Sequence, residues 1–77
     1  MNITIYTKSG CPNCVTAKRL LDSKGIGYEE FDMDNPAIRE IFTENYPEVR
    51  QMPQIFIAGQ RVGGLAGLQE ALKEMGL

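Results

Sequence analysis

Residues 8–15 read Lys8-Ser9-Gly10-Cys11-Pro12-Asn13-Cys14-Val15, "KSGCPNCV", and hold both cysteines of the chain, with two residues between them. Halfway through, the stretch changes character. Lys8-Ser9-Gly10 is a turn set, while Pro12 sits where the first turn of a helix accepts a proline. Upstream, Asn2-Ile3-Thr4-Ile5-Tyr6 alternates and is rich in β-branched residues, which predicts a strand. Downstream, Ala17, Leu20 and Leu21 continue from Cys14 at helical spacing, and Gly25 suits a C-terminal cap. The cysteines therefore stand where a strand turns into a helix.

That placement separates their possible uses. A crosslink stabilises mainly by closing a loop in the unfolded chain, and this loop would be close to the shortest available, so a staple contributes little. Structural zinc wants four ligands, whereas the chain offers two cysteines and no histidine. The missing histidine also removes the base a cysteine hydrolase needs. Redox exchange suits the position best. Cys11 lies at the helix mouth, where unpaired N–H groups and the positive end of the helix dipole favour thiolate. Lys8 adds positive potential. Cys14, about one turn on, sits deeper and suits a resolving thiol that releases a mixed disulfide. A metal or cluster site shared with a second chain stays open as the alternative.

The rest of the chain supplies the frame. Gly27 to Met33 predicts a second strand, and Asp34-Asn35-Pro36 a helix start, with Ile38, Ile41 and Phe42 facing inward and Pro47 ending the helix near Tyr46. Gln54-Ile55-Phe56-Ile57 predicts a strand, Ala58-Gly59-Gln60 a tight turn, and Arg61-Val62 a short return strand. Leu65, Leu68, Leu72 and Met75 form one stripe of a last helix. The order β-α-β-α-β-β-α predicts an α/β fold with a four-stranded mixed sheet flanked by three helices, a single domain over 1–77. A net charge of −2, with eight scattered Lys and Arg, argues against a nucleic-acid partner. No apolar run approaches the roughly 20 residues that span a bilayer. "MNITIYTK" reads as a strand rather than a leader, so a cytoplasmic, reducing compartment is expected, and a monomer suffices.

Three motifs, in order along nearly the whole chain, make the sequence resemble a glutaredoxin, the glutathione-linked branch of the thioredoxin fold. "YTKSGCPNC" is similar to the family's strand, Lys loop and Cys-Pro-x-Cys. "QMPQIFI" is similar to its Thr-Val-Pro segment, and "RVGG" to the Gly-Gly that precedes the last helix. The resemblance implies a thiol–disulfide oxidoreductase with Cys11 as nucleophile and Cys14 as resolver, and no resident metal. It implies glutathione as reductant, and disulfide-containing protein substrates such as ribonucleotide reductase as partners. It further implies a cis bond at Met52–Pro53, with the Met52 backbone pairing to a cysteinyl substrate, and a glutathione site comprising Lys8, Asn13, Met52, Pro53, Gly64, Leu65 and Ala66. Arg39, Arg50 and Gln51 are secondary candidates for holding a carboxylate.

The chain departs from the family at two places. Asn13 stands where an aromatic residue is common. After Gly63-Gly64 the run is Leu65-Ala66-Gly67, where the family carries acidic or hydroxyl side chains for the γ-glutamyl end of glutathione. Losing one charge-assisted hydrogen bond there costs on the order of 1–3 kcal/mol. Two other readings therefore accompany the first. One is a glutaredoxin-like redoxin recharged by a thioredoxin reductase. The other, of a different class, is a dimer holding an iron–sulfur cluster through Cys11 and glutathione.

Overall fold

The computed structural model describes residues 2–77. Its elements are β1 (Ile3–Thr7), α1 (Pro12–Ser23), β2 (Glu29–Asp32), α2 (Pro36–Asn45), β3 (Gln54–Ile57), β4 (Gln60–Gly63) and α3 (Leu65–Glu74). They build one mixed sheet in the order β2-β1-β3-β4. β1 runs parallel to β2 and antiparallel to β3, and β3 pairs antiparallel with β4. The predicted element order and mixed sheet are both present.

Alternation along β1 decides what each face of the sheet receives. Ile3, Ile5 and Thr7 are buried on one side, while Thr4 and Tyr6 are half-buried on the other. The first side meets Ala17 and Leu21 of α1, Ile55 of β3, and Leu68 and Leu72 of α3 in a single core. Each large side chain fully buried there contributes about 1.5–3 kcal/mol. The second side carries aromatic rings. The Tyr6 centroid lies 5.3 Å from Phe31, 4.8 Å from Phe42 and 5.8 Å from Phe56, and α2 is seated over them.

The helix-face expectations need correction at two residues. Ile41 is 62% exposed, not inward-facing. α2 meets the sheet through the i, i+4 row of Ile38, Phe42 and Tyr46, and Ile41 falls off that row. Met75 is 42% exposed because α3 ends at Glu74 and Met75 serves as its C-cap. Strand boundaries also move. β2 is shorter than Gly27 to Met33, and the hairpin turns on two residues, Ala58 (φ 51°) and Gly59 (φ 81°), with Gln60 already in β4. Two positive φ values match the right-handed strand twist, at some cost for the alanine.

One irregularity bears on function. The β3–β4 register runs Ile57 to Gln60 and Phe56 to Arg61, then jumps to Ile55 opposite Gly63. Val62 is thus an extra residue in a bulge, followed by Gly63 at φ 102°, a conformation that favours glycine. The bulge directs the Val62 carbonyl at α3, where Gly67 receives it. A Cβ on Gly67 would lie 2.8 Å from the Val62 carbonyl carbon and closer still to its oxygen. Among the described residues, no helix is long and apolar enough to cross a membrane.

Candidate active site

Cys11 is the N-cap of α1, held extended at φ −113° and ψ 97°. Its carbonyl accepts the N–H groups of Cys14 and Val15 at 3.1 and 3.3 Å. Its sulfur accepts the Cys14 N–H at 3.1 Å, the capping bond that a Ser or Asp side chain usually supplies. In the reduced protein the same N–H and the helix terminus favour the thiolate. Cys14 is only 2% exposed, on the core side of α1 with Ala17 and Leu21. Cys11 is half-buried, so one sulfur can be approached and the other cannot. The two are joined as a disulfide, with their Cα atoms 5.2 Å apart.

Facing them is the segment before β3. The Cys11 Sγ lies 3.4 Å from the Met52 carbonyl oxygen. A disulfide sulfur has no hydrogen to donate, so this is a close approach; a reduced thiol would donate along it. The Met52–Pro53 peptide is cis. A groove of about 280 Å³ adjoins this segment, lined by Asn13, Gln51, Met52, Pro53, Gln54, Gly64, Leu65 and Ala66. Size does not locate the site, since a larger hollow of about 580 Å³ lies near Asn2 and Tyr28, on residues apart from the cysteine segment.

Six of the seven residues implied for a glutathione site line that one groove: Asn13, Met52, Pro53, Gly64, Leu65 and Ala66. Lys8 does not. It is exposed in the loop between β1 and Cys11, with its charge acting on Asp34. Of the secondary candidates, Gln51 lines the groove and Arg39 and Arg50 do not. Gln54 went unrecognised as more than a strand residue; a polar residue in an otherwise apolar strand was the available signal.

At the floor of the groove, α3 opens at Gly64 with no side-chain cap and no acidic residue in its first turn. Its early N–H groups are therefore free to meet an anion. Among the described residues, no three His, Cys, Asp or Glu gather into a metal-binding group.

Two carboxylates hold the frame around Cys11. Asp34 accepts the Ser9 N–H at 3.0 Å and the Ser9 hydroxyl as well, tying the active-site loop to the β2–α2 turn. Glu30 accepts the buried Thr7 hydroxyl at 2.7 Å and the Lys18 ammonium at 3.0 Å, linking β1, β2 and α1. The Ser9 hydroxyl and N–H hold the Asp34 carboxyl below its ordinary value of 3.8. The Thr7 hydroxyl, and then Lys18, do the same for Glu30 below 4.5. Both shifts are downward, so unfolding takes up protons. The stabilisation is present above the ordinary values and is lost as pH falls through the folded ones. The melting temperature should thus decline progressively below about pH 4.5, more steeply than in Thr7→Val. Identical acid profiles for the two proteins would remove this role for the Thr7 bond.

Comparison with known proteins settles the family, for the Glutaredoxin family profile matches residues 3–62. The chain belongs to the glutaredoxin family. It is 41% identical over 76 residues to glutaredoxin 1 of Rickettsia bellii (strain RML369-C), covering 94% of this chain and 78% of that one. It is 45% identical over 64 residues to glutaredoxin 3 of Escherichia coli (strain K12), covering 82% and 76%. Glutaredoxin 1 from Francisella tularensis, solved with cacodylate, superposes with a TM-score of 0.79 at 31% identity, over 96% and 94% of the two chains. The buckwheat glutaredoxin–glutathione complex gives 0.76 at 25% identity, over 95% of this chain and 69% of that one. NrdH-redoxin from Escherichia coli, a glutaredoxin-like protein with a thioredoxin-like activity profile, gives 0.74 at 26% identity over 91% and 93%. With its cysteines at disulfide distance on this fold, the chain is a thiol–disulfide oxidoreductase.

Proposed function

We propose that the protein works in the cytoplasm, reducing protein disulfides or glutathione mixed disulfides through Cys11 and Cys14, and is recycled by glutathione. The observation that carries this reading is the groove lined by Met52, whose carbonyl lies 3.4 Å from the Cys11 sulfur, and by Gly64, Leu65 and Ala66 at the uncapped N-terminus of α3. The Cys11 thiolate attacks one sulfur of the substrate disulfide, forming a mixed disulfide and releasing the other sulfur as a thiolate that takes up a proton. Cys14 then attacks the Cys11 sulfur. The second substrate thiolate leaves, and the two electrons lost by the cysteines have reduced the substrate. One glutathione thiolate reopens the Cys11–Cys14 bond by attack at Cys11. A second releases Cys11 and departs as glutathione disulfide. The buckwheat relative's complex with glutathione supports this choice of reductant. So does α3, whose early N–H groups suit a carboxylate.

A second reading, recycling by a thioredoxin reductase, has its own observation. Leu65, Ala66 and Gly67 offer no side-chain acceptor for an α-ammonium group, and the Val62 carbonyl occupies the space a side chain at Gly67 would take. The likeness to NrdH-redoxin points the same way. One experiment separates the two: reduction of the oxidised protein by glutathione alone, and by NADPH with thioredoxin reductase. Rapid reduction by glutathione, with a Cys11–glutathione adduct trapped by acid quench and seen by mass spectrometry, is the expected result. Reduction by the reductase alone would overturn the glutathione reading.

A further inference from the structure

Gln54 is out of keeping with its surroundings. It opens β3 opposite Tyr6, where the sheet carries its aromatic rings, and is 8% exposed. Its Nε2 donates to the Gln51 carbonyl at 3.0 Å. Its Oε1 is buried with no partner among the described residues. Packing alone would favour an apolar side chain here, because an unpartnered buried oxygen is destabilising. What the amide does achieve is local. The Cys11 contact aside, no other side chain among the described residues donates to the backbone of Gln51 or Met52. The peptide segment that faces the active sulfur is thus braced by one buried amide reaching back three residues.

We propose that Gln54 is a positioning residue for disulfide exchange: its amide holds the Gln51 carbonyl and thereby sets the Met52 carbonyl against the Cys11 sulfur. Two backbone groups then oppose each other at that atom. The Cys14 N–H favours thiolate, whereas the Met52 carbonyl accepts from the protonated thiol and repels the anion. Gln54 acts on this balance through the Met52 carbonyl. The proposal rests on the exchange chemistry of Cys11 and not on which reductant recycles it.

The test is Gln54→Met in the full chain, reduced, with no glutathione present. The rate of Cys11 alkylation by iodoacetamide is followed against pH, and the melting temperature of the oxidised form is recorded. Freeing Met52 should lower the alkylation midpoint by about half a pH unit or more, roughly threefold in the thiolate-to-thiol ratio. The melting temperature should stay level or rise, since the unpartnered oxygen is gone. Gln54→Asn, whose amide falls one carbon short of Gln51, should shift the midpoint the same way, and it carries the test alone if Gln54→Met does not fold. A midpoint that stays in place or rises overturns the proposal, whatever the melting temperature does, and leaves Gln54 a packing residue.

Discussion

Cys11→Ser should bring disulfide exchange down to background, a loss on the order of 10³-fold or more, while Cys14→Ser should keep most of its rate on a glutathionylated substrate. The asymmetry follows from position. Cys11 is half-buried at the mouth of α1, takes the Cys14 N–H on its sulfur, and lies against Met52, which lines the groove. Cys14 is 2% exposed and packs against the core. A serine at 11 leaves no nucleophile that an incoming disulfide can reach. A serine at 14 leaves the first attack intact and removes only the internal step that releases a protein mixed disulfide. Cys14→Ser should therefore accumulate a covalent adduct with protein disulfides, visible by mass spectrometry, yet turn over substrates that glutathione itself can resolve. Equal loss in both variants on a glutathionylated substrate would contradict the assigned roles.

Gly67→Ala should destabilise the protein by about 1–3 kcal/mol, the cost of forcing a methyl group into a filled space. Helix propensity alone predicts the opposite, a gain of up to about 1 kcal/mol from replacing a helical glycine. The sign decides between them. The clashing atoms are the backbone carbonyl of Val62, set by the bulge and by Gly63, so no side chain can rotate out of the way. Relief requires α3 to move off β4, which pulls on Leu68 and Leu72 in the core. In a domain of this size the loss corresponds to a fall of several degrees or more in melting temperature. A variant that melts higher than the parent would show that α3 does not rest on Val62 as described. The same contact bears on recognition. Restoring an acidic side chain at position 67 would have to displace α3 first.

Much of the architecture was legible because it rests on short-range rules. Alternation in Ile3-Thr4-Ile5-Tyr6, proline at the start of two helices, and the 3.6-residue spacing of Leu65, Leu68 and Leu72 each report on neighbours within one turn or strand. The order of elements followed, and the topology with it. Misplaced residues lay at the edges of those rules. Ile41 and Met75 satisfy a helical stripe on paper, yet which arc of a helix is covered depends on what packs against it. Lys8, which the family resemblance put in the glutathione site, stands apart from the groove lining, and its neighbour Ser9 is bonded to Asp34, 25 residues further along the chain from that serine.

The sequence by itself determined the chemistry of this protein. Two cysteines at the N-terminus of a helix, with no histidine in the chain, favour thiol exchange over the alternatives, because helix-terminus N–H groups act over a few ångströms of local chain. Only the tertiary structure decided how the sulfur is held and what can approach it. The Met52 carbonyl at 3.4 Å, the Gln54 amide behind it and the Val62 carbonyl over Gly67 all join residues from different elements. Such contacts arise from the register of β3 and β4 and the seating of α3 on the sheet, which depend on how the whole core packs and carry no signature in local spacing.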